Sequence, residues 1–258
     1  MYFFQINLNG YNLICAAYYP DTEKFFRGFY PQGFSKHSDS GKIDIAALKK
    51  QNPGQIVFVH PEDWAEYQKI GMPPCAHTEY SILTEYFSDF LIPLNSVIIH
   101  GVALRWHDRA YLICAHSGVG KTTQARFLNE LRPNEFEIIC GDRPILEFRK
   151  PLEYGISESV VVHPSPWNGK ENWHGGESAQ LSGVILLERG DENKLSVITE
   201  QEAAIPLYSQ FIHTGWSEDK IKIVANLETK LLRSVPLWKL LSNKVPDSTQ
   251  LLIENIFT

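Results

Sequence analysis

The segment that most constrains the fold of this chain is residues 111–123. It reads YLICAHSGVGKTT, an apolar run, then a short loop with two glycines, then the start of a helical pattern. Gly118 and Gly120 let backbone N–H groups approach an anion closely because glycine has no Cβ, and Lys121 adds a positive charge. A strand that enters a helix through such a loop is typical of the Walker A motif, or P-loop. The segment therefore predicts an α/β fold that binds ATP.

The motif also predicts how the nucleotide is held. Lys121 is expected to contact the phosphates, and the Thr122 hydroxyl is expected to be a ligand of Mg²⁺. The standard motif has a glycine five positions before Gly120, where this chain has Ala115. The alternative interpretation is a strand–turn–helix junction without a ligand. The predicted nucleotide-binding residues are Ser117, Gly118, Val119, Gly120, Lys121, Thr122 and Thr123.

Composition limits the partners and the location. The chain has 258 residues and a formal net charge of -6, which argues against nucleic acid and a membrane surface as partners. No secretory start and no apolar run of about 18 residues are found, so we expect a cytoplasmic protein. The four cysteines share no paired spacing and are expected to be reduced. Both a monomer and a homo-oligomer are compatible with the sequence.

The first part of the chain predicts a small β-rich lobe, residues 1–76. Two β-rich runs at 2–8 and 11–19 are joined by Asn9-Gly10, a pair that favours a tight hairpin turn. Residues 20–54 show little periodicity, and a short strand at 55–60 and a short helix at 61–70 follow. We interpret this lobe as a region for substrate or partner recognition.

The rest of the chain, residues 77–258, alternates strands and helices and predicts the nucleotide-binding domain. A capping box at Thr199–Glu202 opens one helix toward His213, and another helix begins at Ser217. The charged run 188–192 is interpreted as a solvated turn. The predicted elements are a helix from 77 to Pro93, strands at 97–105, 110–115, 136–140, 183–188 and 235–240, and helices at 121–131 and 247–257.

Two further residues are candidates for chemistry. Asp142 directly follows the apolar strand at 136–140, and carboxyl ends of strands are where α/β folds place ligands, so Asp142 is a candidate metal ligand or base. The alternative is a carboxylate that forms a turn. His100 lies beside an apolar run, where a histidine is either a structural residue or a participant in the site.

Several segments together resemble the HPr kinase/phosphorylase family. IHGVA at 99–103, AHSGVGKT at 115–122 and CGDR at 140–143 are similar to its core in order and spacing. PSPWNGK at 164–170 and VPLWKL at 235–240 resemble segments of stand-alone HPr-kinase-like proteins, some of which accompany peptide-modification clusters. The resemblance covers roughly residues 77–258.

The resemblance implies a mixed sheet with flanking helices like that of phosphoenolpyruvate carboxykinase, and a serine-kinase site. Lys121 would lie on the phosphates, Thr122 on Mg²⁺, and His100 near the transferred phosphoryl group. Asp142 would bind the metal or deprotonate the acceptor. The substrate side would hold Arg143, Trp167 and Lys170, with a buried structural indole as the alternative for Trp167.

Two departures from the family shape the functional hypothesis. The family has two adjacent acids where this chain has Gly141 and Asp142, and the glycine-rich segment after the acids has no counterpart here. HPr itself is therefore not the expected acceptor. The leading hypothesis is an ATP-dependent kinase that phosphorylates a hydroxyl, a serine in a peptide or small protein. The alternatives are a nucleotide-binding sensor or scaffold without strong catalysis, and a small-molecule kinase of the free-serine type.

Overall fold

A computed structural model describes most of the chain. Its contacts separate two compact units, Met1–Phe90 and Leu91–Thr258. None of the helices in the described part of the chain is long and apolar enough to cross a bilayer. The described residues are 2–8, 11–29, 35–36, 56–149, 159–171, 173, 175–215, 217–243 and 246–258.

The first unit contains a four-stranded sheet in the order β3-β1-β2-β4. The predicted hairpin is confirmed, because β1 and β2 pair antiparallel from Tyr2 opposite Ala17 to Leu8 opposite Tyr11. Its turn, Asn9-Gly10, lies outside the described residues. β4 pairs parallel to β2. The strands are β1 Tyr2–Leu8, β2 Tyr11–Ala17, β3 Ser35–Lys36 and β4 Ile56–Phe58.

The first unit is a mixed α/β structure rather than a β-rich one. Its helices are α1 Pro20–Phe29, α2 Pro61–Lys69 and α3 Ala76–Leu91. The sequence analysis predicted no helix or strand in residues 20–54, and this was wrong for α1. Helix α1 has acidic residues in its first turn and buries Phe26. The glycine-rich and polar residues that follow obscured this short amphipathic signal. The remainder of that stretch, apart from β3, lies outside the described residues up to residue 55.

Helix α3 packs within the first unit along most of its length. The rings of Phe26 and Phe87 stack with centroids 5.5 Å apart, and Phe25 meets Tyr80 edge-on at 4.2 Å. The sequence assigned this helix to the second domain, whereas the contacts divide the chain near the helix end. Residues 77–90 therefore belong with the first unit.

The second unit is built on one large mixed sheet. Its strand order is β13-β5-β9-β10-β11-β7-β6-β8, and β14 pairs with both β11 and β12. A single turn of 3-10 helix at Ile92–Leu94 leads into it. The strands are β5 Ser96–Ile99, β6 Gly101–Trp106, β7 Arg109–Cys114, β8 Phe136–Cys140, β9 Ile145–Arg149, β10 Ser159–His163, β11 Ala179–Arg189, β12 Lys194–Val197, β13 Phe211–Ile212 and β14 Leu237–Ser242.

Helices cover both faces of this sheet, as the alternation along β7 shows. Leu112 and Cys114 belong to one apolar cluster, and Tyr111 and Ile113 belong to another. Two helices contribute to the first cluster and two to the second, which confirms the mixed α/β prediction. The helices are α4 Lys121–Leu131 and α7 Pro246–Asn255 on the second cluster, and α5 Glu200–Tyr208 and α6 Glu218–Ser234 on the first.

Most predicted elements of the second unit are confirmed, with shifted ends. Thr199 caps α5 through a complete capping box, and Ser217 caps α6. Helix α5 ends at Tyr208 rather than continuing to His213, and the short strand β13 follows it. Strands β9 and β10 were not predicted. The strand predicted at 97–105 is two strands, β5 and β6, which separate at His100.

Candidate active site

Strand β7, residues 115–120 and helix α4 form the predicted strand–loop–helix unit. We call residues 115–120 the glycine loop. Gly118 and Gly120 have φ of +77° and +125°, a region that side chains with a Cβ rarely adopt. Ser117 and Gly118 are exposed, and Gly120 directly precedes the helix. The loop thus has the backbone conformation and the accessibility that an anion site requires.

Lys121 is drawn inward at the start of α4. Its side chain is buried, with only 7% of the residue exposed. Its Nζ donates to the Ala115 carbonyl oxygen at 2.9 Å and lies 3.1 Å from Nε2 of His100. Burial lowers the pKa of Lys121, and the nearby carboxylate of Asp142 opposes that shift. The ammonium is therefore held between the glycine loop and two side chains of the candidate site.

His100 is positioned by the point where the chain changes strand partners. β5 pairs with β9 and β13, whereas β6 pairs with β7 and β8. At the junction, the His100 N–H donates to the Gln210 carbonyl at 2.8 Å, and the Gly101 N–H donates to the Asp142 carbonyl at 2.8 Å. These two backbone bonds fix the histidine against the residues that follow β8.

Asp142 lies between a histidine and an arginine side chain at the carboxyl end of β8. Its Oδ1 is 3.5 Å from Nε2 of His100, and its Oδ2 is 3.3 Å from Nε of Arg143. Burial alone raises the pKa of Asp142, but His100, Arg143 and Lys121 outweigh burial and hold that pKa below its ordinary value. Asp142 is therefore ionised at neutral pH and is a weak base.

The oxygen groups present suit a magnesium ion. Mg²⁺ prefers oxygen ligands and is bound through one or two carboxylates together with waters and substrate phosphates. Asp142 is an ionised carboxylate, and Thr122 offers a partly exposed hydroxyl directly after Lys121. The described residues contain no group of three or more histidine, cysteine or acidic side chains that could hold a metal ion alone. A magnesium ion at this site would depend on the phosphates of the nucleotide.

Residues 164–170, which we call the tryptophan loop, pack against Gly141 and Asp142. A Cβ built at Gly141 would lie 2.5 Å from the Asn168 carbonyl oxygen, closer than side chains occur. Gly169 has φ of +80°, and a Cβ there would lie 3.3 Å from the Asp142 Cβ. A second acid at position 141 would therefore require the tryptophan loop to shift.

Trp167 supports the site rather than facing a substrate. Its indole is 1% exposed, and its backbone carbonyl accepts from the Arg143 N–H at 2.9 Å. This burial favours the structural alternative for Trp167 over a position on the substrate side. Arg143 is partly exposed beside Asp142, and Lys170 is exposed at the end of the tryptophan loop.

A groove of about 640 Å³ lies in the second unit, and His100, Lys121 and Asp142 are not among the residues that line it. Its walls are α4, β8 and the segment around Trp173, and Arg126 and Glu137 line it. The Gly141 N–H donates to the Trp173 carbonyl at 3.0 Å, so the groove adjoins the residue that precedes Asp142. No motif in the sequence indicated this groove.

A buried polar cluster anchors helix α4 to strand β14 and helix α7. The Gln124 amide donates to Ser242 at 3.0 Å and to Ser248 at 2.7 Å, and the Thr249 hydroxyl donates back to it at 2.6 Å. All four residues are at most 4% exposed. Sequence reasoning missed this cluster because its members are 118 to 125 positions from Gln124.

Arg189 is a second residue that the sequence analysis missed. It ends strand β11, and its guanidinium donates to the carbonyl oxygen of Gly118 in the glycine loop. The charged run that contains it was interpreted as a solvated turn. The parallel pairing of β11 with β7 is what brings this strand end beside the loop.

Comparison with known proteins gives little direct identification. No protein-family model matches the chain, and no curated protein matches it. Among solved structures, the HPr(Ser) kinase/phosphatase from Coxiella burnetii is similar at 12% identity, with a TM-score of 0.34 over 61% of this chain and 94% of that one. Values this low leave the activity to be argued from the residues of the site.

Proposed function

We propose that this chain is an ATP-dependent kinase that transfers the γ-phosphoryl group to a hydroxyl, a serine of a peptide or small protein. One observation carries the proposal. Lys121, His100 and Asp142 come from three separate segments, yet they form a chain of contacts of 3.1 and 3.5 Å at the end of a glycine loop. A loop for phosphates, a lysine and an ionised carboxylate are the parts that phosphoryl transfer requires.

The low pKa of Asp142 indicates how it would act. A carboxylate that is a weak base accepts a hydrogen bond from the acceptor hydroxyl and orients it. Full deprotonation is not required before transfer, and the hydroxyl proton would pass to Asp142 as the new P–O bond forms and ADP leaves. Phosphoryl transfer passes through a loose transition state, in which positioning and electrostatics supply most of the catalysis. Asp142 would therefore align the hydroxyl while Lys121 and Arg143 stabilise negative charge.

Lys121 is held ready for a phosphate. Its contacts with the Ala115 carbonyl and the His100 ring satisfy the ammonium in the structure described here. A phosphate oxygen makes a stronger, charge-assisted bond than a carbonyl does, so the side chain would exchange its partner when ATP binds. His100 would then lie between the phosphates and Asp142. Mg²⁺, held by Thr122, Asp142 and the phosphates, would neutralise charge on the transferred group.

The groove beside α4 supports a peptide or protein as the acceptor. Its volume of about 640 Å³ exceeds what a single hydroxyl side chain requires. Arg126 and Glu137 at its walls offer both signs of charge to a polypeptide. A peptide whose serine lies at Asp142 would be long enough to extend to this groove and a free amino acid would not, which favours the peptide kinase over the small-molecule kinase.

Labelled ATP tests the kinase proposal. The purified chain is incubated with Mg²⁺, labelled ATP and serine-containing peptides, beside Lys121→Ala and a matched surface variant, Lys222→Ala. We expect transfer by the wild type and by Lys222→Ala, and loss of transfer in Lys121→Ala. Equal labelling by wild type and Lys121→Ala would count against the proposal.

A nucleotide-dependent sensor or scaffold is the second candidate, and Gly141 favours it. Close packing against Asn168 leaves this site with one carboxylate where two are typical of the family it resembles. If the chain binds ATP tightly, transfers nothing to any peptide and keeps its cellular role as Asp142→Asn, the sensor is the correct function. Loss of that role in Asp142→Asn would favour the kinase.

A further inference from the structure

The guanidinium of Arg189 is the one feature at the glycine loop that the proposed kinase mechanism does not use. Arg189 lies on a well-anchored strand end, because it is opposite Ser242 of β14 and the Gly190 N–H donates to the Ser242 carbonyl at 3.1 Å. Its side chain is exposed and reaches the Gly118 carbonyl. Both the guanidinium and the loop are therefore accessible to a ligand.

Within the described part of the chain, Arg189 pairs with no carboxylate. The adjacent acid, Glu188, instead pairs with Lys239 at 3.1 Å. A guanidinium has five N–H donors in a fixed fork, and the bond to Gly118 uses only part of that capacity. The remaining donors and the full positive charge are unused, in a chain whose formal net charge is -6.

The net charge of the candidate site would also be complemented by another cation when a triphosphate binds. Asp142 offsets much of the charge of Lys121 and Arg143, which both lie near it. A nucleoside triphosphate carries several negative charges, and arginine is the side chain best suited to bind phosphate oxygens in pairs. The site as described is short of positive charge for such a ligand.

We propose that Arg189 is a phosphate ligand of the nucleotide site. It keeps its bond to the Gly118 carbonyl and directs its other donors to the phosphate chain. This inference rests on the proposed nucleotide binding. It adds a third cation, carried by the end of β11, to those that Lys121 and Arg143 supply.

Nucleotide affinity of charge variants tests this role. Dissociation constants for ATP, ADP and adenosine are measured by competition with a fluorescent nucleotide, at low and high salt, for wild type, Arg189→Met, Arg189→Lys and Arg233→Met. Arg233 is a matched control on α6, where it pairs with Glu200 at 3.4 Å. Thermal unfolding of each variant shows whether it is folded.

Arg189→Met is expected to weaken ATP binding about tenfold or more, the effect of losing a hydrogen bond to a charged group. The loss should be smaller for adenosine and should shrink as salt rises, because salt screens the missing charge. The ATP affinity of Arg189→Lys should lie between those of wild type and Arg189→Met. Arg233→Met should bind ATP like wild type.

Two results would overturn the inference while leaving the proposed function intact. One is ATP binding by folded Arg189→Met that matches wild type. The other is an equal loss for ATP and adenosine that does not change with salt, which would show that Arg189 only holds the loop. If wild type binds no ATP at all, the proposed function fails, and this inference fails with it.

Discussion

The two units of the molecule treat an inward-pointing carboxylate in opposite ways. In the first unit, Glu79 is fully buried and accepts from the backbone N–H groups of Tyr18 and Tyr19 at 2.5 and 3.2 Å and from the Thr22 hydroxyl at 2.6 Å. These donors are neutral. Burial raises the pKa of Glu79, and the hydrogen bonds only partly offset it.

In the second unit, Asp142 is partly exposed and faces cations. His100, Arg143 and Lys121 lower its pKa against the effect of burial. Glu79 is enclosed by neutral donors and is out of reach of a ligand, whereas Asp142 keeps its charge near cations at a partly exposed place. Exposure together with the charge of the partners therefore marks Asp142, and not Glu79, as the candidate for chemistry.

The largest expected effect tests the chemical side of this comparison. Asp142→Asn keeps the shape and removes the charge, so transfer should fall about a thousandfold while the chain stays folded. The measurement is single-turnover transfer from labelled ATP. Asp108→Asn, in the exposed turn after β6, is the control and should transfer normally. A wild-type rate in Asp142→Asn would remove the distinction drawn here.

The structural side is tested by Glu79→Ala. This change leaves one buried and two partly buried donors without their acceptor, which should destabilise the first unit by about 3 kcal/mol. Hydrogen exchange at the Tyr18 and Tyr19 amides is the direct readout and should accelerate strongly. Glu66→Ala, an exposed acid on α2, serves as the control. Unchanged exchange in Glu79→Ala would show that these bonds contribute nothing to stability.

A smaller effect is expected when a second acid is added to the candidate site. Gly141→Asp places a Cβ against the Asn168 carbonyl and should cost about 2 kcal/mol by overpacking. Denaturant unfolding measures the cost. Gly28→Asp, where a Cβ meets nothing within 4 Å, should cost far less. A fully stable Gly141→Asp protein would mean that the tryptophan loop yields easily.

Glu228 of α6 sharpens the comparison, because it is a structural acid inside the second unit. It is 7% exposed, and burial raises its pKa to about 7. The folded-state pKa therefore lies above the ordinary value of 4.5, so the stability given by the neutral form is complete at low pH and is lost as the pH rises to about 7.

Glu228→Gln stays neutral at every pH and should remove this loss. We expect the variant to be more stable than wild type by up to about 3 kcal/mol at pH 8, since the pKa rises from 4.5 to about 7, and equal to it near pH 4. Unfolding in urea at the two pH values measures the difference, with Glu218→Gln, an exposed acid on the same helix, as control. An equal difference at both pH values would show that the charge of Glu228 is not the cause.

What the sequence could predict is what depends on neighbouring residues. The glycine loop, helix α4 and the placement of Asp142 at the end of β8 follow from apolar runs, glycines and spacing within about thirty residues. The capping box at Thr199 is likewise a local signal. These elements are present as predicted.

What it could not predict depends on distant pairing. Apolar residues lie on both sides of His100, at 97–99 and 102–104, and only the change of strand partners separates β5 from β6 and positions His100. The burial of Trp167 follows from the close approach of the tryptophan loop to Gly141. The position of Arg189 beside the glycine loop follows from the parallel pairing of β11 and β7. None of these contacts has a signature in the local sequence.

The buried polar cluster around Gln124 has a consequence for biosynthesis. Gln124 gains its buried partners only from residues 242–249, more than a hundred positions later. A growing polypeptide that has reached residue 200 already contains the glycine loop. Helix α4 would still lack the hydrogen-bond partners of Gln124, which come later in the chain. Because domains fold as units as they leave the ribosome, the proposed nucleotide site should form late in translation, well after the first unit has formed.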